Sequence, residues 1–310
     1  TIPFLMLFHL SCDMLKCTGN MQLASAMSVL LCVLDVAFNY VFIYRLHLGV
    51  MGAALGTAVA YICTSLPITW FATCRDKILA LKWDRAPFHW VWNYVMKAVK
   101  ISLPIAVQSI LMSGAQIIST IIVAPLGNVA IAAHSFAITA ESLCYMPGYG
   151  IGDAATTLVG QTFGAGRSAL CRSFARLTVG LGMSVMAAMG AIMYVFAPEM
   201  IALLSPVADI QALGASVLRI EAFAEPFFAA SIVTYSICVG AGDTLRPAIM
   251  NLASMWCVRL TLAAYLARDY GLRGVWIAMA VELTFRGLLF LYRLFRGNWL
   301  KALEEKAPAA

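Results

Sequence analysis

The chain has 310 residues, 62% hydrophobic and 12% charged, with 21 Lys and Arg against 15 Asp and Glu for a formal net charge of +6. An ordinary soluble domain is roughly 45–50% apolar and about 25% charged, so this excess of apolar surface cannot be hidden in one aqueous core and a water-soluble globular fold is excluded. The positive balance is not a nucleic-acid signal, because the basic residues sort to one side of the apolar spans, and no nucleic-acid partner is expected.

Nearly uncharged runs long enough to cross a ~30 Å hydrocarbon layer, about 20 residues each, recur along the chain. An apolar stub over 1–15 is followed by spans near 22–44, 49–73, 99–124, 128–162, 171–197, 208–240, 246–268 and 272–295. This predicts an all-α, multi-pass protein of the plasma (inner) membrane, with the lipid bilayer as its surroundings. Thr1 is not Met and no basic stretch precedes the stub, so no signal peptide is read and the chain reads as starting inside a helix. The nine cysteines lie mostly within spans. Without C-x-x-C or a His/Cys cluster at ligand spacing, they read as packing residues, and no metal site is expected.

If the segment 74–98 is cytoplasmic, that side collects Lys16, Arg75, Lys77, Lys82, Arg85, Lys97, Lys100, Arg167, Arg172, Arg176, Arg246, Arg293, Arg296, Lys301 and Lys306. The other side receives Arg45, Arg268 and Arg273. Such an excess orients a multi-pass protein with its Lys- and Arg-rich loops inside, placing the segment 74–98 and the C-terminal tail in the cytoplasm.

An internal repeat organises the chain. GVMGAALGT (49–57) aligns with GLRGVWIAM (271–279), Gly49 on Gly271 and Gly52 on Gly274, at an offset of 222. Upstream, Pro3 and Phe4 match Pro226 and Phe227, and Gly19 and Asn20 match Gly242 and Asp243, at an offset of 223. The second unit then holds six helices over 99–296, in parallel orientation to the first. Only the stub and two spans (1–73) precede the segment 74–98, so the first unit reads as lacking three helices and most of a fourth. Trp83, Trp90 and Trp92 among the charges of 74–98 suit an amphipathic helix lying at the headgroup layer, with a solvated loop as the alternative. Residues 297–310 read as a tail.

One span carries a charge. In VLLCVLDVAFNYVFIY (29–44), Asp35 and Asn39 are one helical turn apart on one face. Asp35 lies roughly 20 Å from the cytoplasmic end at 1.5 Å per residue. An ionised carboxylate at that depth is costly, so it takes a proton, binds a cation or pairs with another group; a structural hydrogen bond to a neighbouring helix is the plainer reading. Other polar groups suggest an interior cavity: Gln108 and Gln116 on the first helix of the second unit, and His134, Glu141 and Tyr145 on the next. Glu141 either selects cations in the cavity or is tied to a neighbour such as Arg259. Glu282 and Arg286, one turn apart, read as a neutralising pair. Pro147 with Gly148, Gly150 and Gly152 marks either a hinge or close helix packing.

LPIAVQSI (103–110), PLGNVAIAAHSFAI (125–138), MPGYGIGDAATTLVGQTFGAG (146–166), GAGDTLRP (240–247) and YGLRGVWIAM (270–279) together resemble the multidrug and toxic compound extrusion family. The resemblance implies two parallel six-helix lobes, of which this chain covers the end of the fourth helix through the twelfth, and a monomer when full length. It implies a secondary antiporter that expels organic, often cationic, compounds or drugs in exchange for Na+ or H+, with no cofactor and no enzymatic activity. Members often carry Asn-x-x-x-Asp on the fifth helix and a Thr on the sixth; here Asp35 stands where Asn is usual, Asn39 where Asp is usual, and the Thr is Thr57. One branch has coupling acids on the seventh and tenth helices, but those positions fall on Met112 and Phe228, which leaves coupling to the first lobe. Three rivals stand beside this reading. A lipid-linked saccharide flippase of related fold would line its cavity with Arg and Lys, and only Arg219, Arg259 and Arg286 fall within spans. A transport-inactive fragment is the second. An intramembrane aspartyl protease would use GAGD (240–243), but the second Asp motif it needs is missing and Asp243 suits a helix cap.

Overall fold

The computed structural model describes residues 1–76, 79, 91–296 and 299. Among them every regular element is helical, as expected. The chain divides into two compact units, Thr1–Trp90 and Val91–Ala310. The first contains α1 (Ile2–Cys17), α2 (Met21–Tyr40), which runs on through a wider turn at Val41–Arg45, and α3 (Gly49–Cys74). The second contains α4 (Trp92–Val123), α5 (Asn128–Gly164), α6 (Ser168–Ala202), α7 (Ala208–Glu221), α8 (Glu225–Gly240), α9 (Leu245–Ala253), a second wide turn at Ser254–Arg259, and α10 (Leu260–Arg296).

Most of the segment 74–98, with Trp83 and Trp90, lies outside the described residues, as does the tail 297–310 apart from Trp299. Where the segment is described, one boundary changes. The helix of the first span in the second unit begins at Trp92 and not at 99, because Lys97 and Lys100 interrupt the apolar run without breaking the helix. Trp299 is buried, and its indole Nε1 donates to the Leu294 carbonyl at 3.2 Å.

Among the described residues six helical stretches are long and apolar enough to cross a membrane, and the pair α7 and α8, bent by 59°, makes a seventh if it is one span. The last stretch, Leu245–Arg296, has 52 residues, about 78 Å of helix at 1.5 Å per residue and more than twice the ~30 Å layer. It breaks at Gly271, whose φ of 58° and ψ of −138° are non-helical, so it supplies the two spans expected over 246–268 and 272–295. The span expected over 208–240 is not continuous: three residues, 222–224, separate α7 from α8.

The repeat seen in the sequence recurs in the backbone. Gly49 and Gly271 have φ of 54° and 58°, a left-handed conformation that glycine adopts freely. Gly19 and Gly242 likewise have φ of 92° and 80°. Pro3 and Pro226 both sit in the first turn of a helix, α1 and α8, where a missing N–H costs nothing.

Small residues at three- and four-residue steps let the helices of the second unit approach closely. On α5 the buried stripe runs Ala130, Ala133, Ala137, Ala140, Cys144, Gly148, Gly152, Ala155 and Val159; α6 answers with Cys171, Ala175, Gly182, Met186, Gly190 and Met193. Of the two readings for the Pro147 region, close packing is what Gly148 and Gly152 serve. A Cβ on Gly148 would strike Met186 Sδ, and one on Gly152 would lie 2.7 Å from Ser236 Oγ. α5 continues through Pro147 without interruption.

Candidate functional site

In the first unit, α2 carries Asp35 and Asn39 one turn apart, both half-buried, as the i, i+4 spacing requires. Each has one side-chain oxygen, Oδ1, that is buried and without a hydrogen-bond partner. α3 closes on this face at Gly56: a Cβ there would collide with Asn39 Oδ1 and lie 3.0 Å from Asn39 Cγ and N. Thr57 is the next residue and is half-buried. The structure therefore brings Asn39 against the turn of α3 that bears Thr57. Just beyond Asn39 the helix widens, with the Leu46 N–H bonding to the Val41 carbonyl at 3.0 Å. An unsatisfied buried acceptor costs about 1–3 kcal/mol and more when charged. Two such oxygens on one face can accept a proton or oxygen-coordinated cation at no loss of existing bonds.

In the second unit the expected cavity residues have different surroundings. Gln108 is half-buried and accepts a hydrogen bond from Tyr235 Oη on α8 at 2.9 Å. Gln116 is exposed, on a helix whose Ile110, Ile117 and Ile121 are exposed as well. Tyr145 stacks edge-on with Tyr149 and Phe228, centroids 5.7 and 5.6 Å apart. His134 does not line an open wall: it is buried, and its Nδ1 accepts from Trp276 Nε1 at 3.2 Å. Met112 packs beside Ala115 and Met255.

Glu141 is buried too, and it is not alone. Glu221, Glu225, Glu282, Arg259 and Arg286 are all buried with it in the second unit. Glu282 and Arg286 form the expected pair, Oε1 to Nε 3.3 Å, and Ser254 Oγ donates to the same Oε1 at 2.6 Å. The guanidinium of Arg286 also stands over the Phe228 ring at 5.5 Å. Arg259 ends the wide turn that begins at Ser254, and both meet α10, Ser254 at Glu282 and Arg259 at Met279 Sδ; Arg259 is in electrostatic range of Glu282, Glu221 and Glu141. Glu221 is in electrostatic range of Glu141, Arg259, Glu225 and Glu282. Sequence reading missed Glu221 and Glu225. The signal was present as two acids four residues apart in an apolar span, the second directly before Pro226.

A family model for MatE matches residues 104–265, more than half of the chain. The chain belongs to the MatE family. Among its relatives, the probable multidrug resistance protein NorM of Thermotoga maritima is 26% identical over 294 residues, covering 93% of this chain and 63% of the relative. The multidrug resistance protein MdtK of Yersinia pestis is 24% identical over 291 residues, with 90% and 62% covered. The chain thus spans about six tenths of these relatives. A crystal structure of MATE in complex with MaL6 matches with a TM-score of 0.87 at 21% identity, covering 98% of this chain and 68% of that one; at this identity the likeness establishes the fold. Membership of MatE makes this a multi-pass membrane protein of a transporter family.

Proposed function

We propose that this MatE chain is part of a secondary antiporter that exports hydrophobic organic cations and drugs in exchange for Na+ or H+, with the coupling ion at Asp35, Asn39 and Thr57. The observation that carries the reading is the buried, unpartnered Oδ1 of Asp35, one helical turn from that of Asn39, in an apolar span. The names of the NorM and MdtK relatives support multidrug export. In this reading the protein sits in the inner membrane, a monomer when full length, with the Lys- and Arg-rich loops and the C-terminus in the cytoplasm. Gln108, Gln116 and Tyr145 remain the candidates for substrate contact.

The flippase reading loses support, because of its three arginines Arg259 and Arg286 are buried with glutamates and Arg219 is held at the carbonyl and ring of Tyr194. The test is ethidium export from vesicles under an imposed ion gradient, using a chimera in which the preceding helices of the Thermotoga maritima relative are joined to Thr1. The chimera exports, the 310-residue chain alone does not, and Asp35→Asn in the chimera abolishes ion-driven export while substrate binding stays within roughly tenfold, about 1.4 kcal/mol. Undiminished export by Asp35→Asn removes the coupling role, and flipping of a lipid-linked saccharide without ethidium export removes the antiporter.

A further inference from the structure

The buried charges of the second unit do not balance. Glu141, Glu221, Glu225 and Glu282 are buried in the same unit as Arg259 and Arg286, four acids to two cations. If every carboxyl were ionised, two negative charges would remain with no counterion, and buried charge persists only when paired. The shortfall falls on particular atoms. Glu282 has Arg286 and Ser254, whereas both carboxyl oxygens of Glu221 and both of Glu225 are buried without a hydrogen-bond partner. A carboxylate in such a position would normally gather N–H or O–H donors; these two have none.

The two unpartnered acids flank the break in a membrane span. Glu221 is the last residue of α7 and Glu225 the first of α8, with the 59° bend between them. Broken spans are where transporters place ions, because helix ends meet side chains there in protein and not in lipid. Several elements pack on the break. From α5 come Glu141, Cys144 and Tyr145; from the wide turn, Arg259; from α10, Glu282. α6 contributes Gly190, where a Cβ would lie 2.7 Å from the Ala222 carbonyl, and Tyr194, whose ring meets Phe223 at 5.5 Å. α4 presents no acid. Among the described residues, the charged neighbour of Glu225 is Glu141, and no cation is in range of it.

We propose that the break between α7 and α8 is a proton-holding site, with two protons resident on the set formed by Glu141, Glu221, Glu225 and Glu282, and Glu221 and Glu225 as the carriers. A metal ion is the poorer occupant: among the described residues no group of three or more His, Cys, Asp or Glu converges on a common point. An organic cation has no access to carboxyls that are 0% and 1% exposed. The site is distinct from Asp35 and does not depend on the transport reading.

The test is infrared difference spectroscopy of the purified 310-residue chain in lipid nanodiscs at neutral pH, following the carbonyl stretch of protonated carboxyl groups and its downshift in D2O. The wild type minus Glu221→Gln spectrum and the wild type minus Glu225→Gln spectrum each show the loss of one protonated carboxyl, and the double variant loses two. Gln replaces a neutral acid at nearly equal shape, so these variants fold if the proposal holds. Should they not be recovered, carboxyl-¹³C glutamate in the wild type shifts a protonated-carboxyl band that aspartate labelling leaves in place. A loss of ionised carboxylate bands in the difference spectra overturns the proposal, as does the absence of any glutamate-labelled protonated band in the wild type.

Discussion

Gly287 on α10 is the sharpest packing constraint beside the buried network. A Cβ there would strike the Phe227 carbonyl oxygen and lie 2.8 Å from both Phe227 C and Cβ. The obstacle is largely backbone, one turn into α8 behind Pro226, so no rotamer change relieves it. Ordinary contact begins at 3.4 Å, so α8 and α10 must part by more than half an ångström, next to Arg286 on one helix and Glu225 on the other. Overpacking of this kind costs about 1–3 kcal/mol, and the backbone obstacle argues for the upper end. Replacing Gly by Ala in a helix returns about 1 kcal/mol, leaving a net loss of about 2 kcal/mol for Gly287→Ala. Gly150 is the control: it is helical and a Cβ there meets nothing within 4 Å, so Gly150→Ala gains up to about 1 kcal/mol. Thermal unfolding of the purified chain in detergent reads both, at about 2–4 °C per kcal/mol or somewhat less for a chain of this length. If Gly287→Ala melts at or above the wild type, the helices are not as close as described and the network beside them is not held rigid.

Two further outcomes follow from the buried side chains. In the exporting chimera, Glu141→Gln reduces export of cationic and neutral substrates to the same degree, because Glu141 is buried in electrostatic range of Arg259 and Glu221; a loss confined to cations in paired transport assays would return it to the cavity wall. His134→Phe keeps the ring but leaves the buried Trp276 N–H without its acceptor, which costs about 1–3 kcal/mol. That variant melts several degrees lower while its preference among substrates is unchanged, and a changed preference at unaltered melting would refute the packing role.

The spans were legible because hydrocarbon thickness imposes a length that sequence alone can meet, and the turns because glycine marks them: Gly49 and Gly271 are paired in sequence and share nearly the same φ. The bend at 222–224 was not legible. An apolar window averages over three residues, and Ala222, Phe223 and Ala224 carry no breaking signal of their own; only Pro226 hints that a helix restarts there. His134 shows a different limit. A polar residue inside a span reads as a cavity group until its partner is known, and Trp276 lies 142 residues away. Asp35 and Asn39 could be paired from their spacing, but their meeting with Gly56 depends on how α2 and α3 pack, which no local pattern encodes.

The irregular helix segments make the candidate sites more than a collection of buried polar residues. In the first unit the wide turn Val41–Arg45 begins two residues after Asn39; in the second, Arg259 closes the wide turn Ser254–Arg259, and Glu221 and Glu225 bracket the break in 208–240. Wide turns and breaks forgo some regular helix bonding and persist where surrounding packing or function retains them. Lipid makes such irregularity more costly, since a backbone group released from the helix must find its partner within the protein. Buried acids cost free energy in the same surroundings, for the same lack of solvent. Where the two lie close together the physical account is shared: both the irregular backbone and the buried acid depend on the surrounding protein for what solvent would otherwise supply.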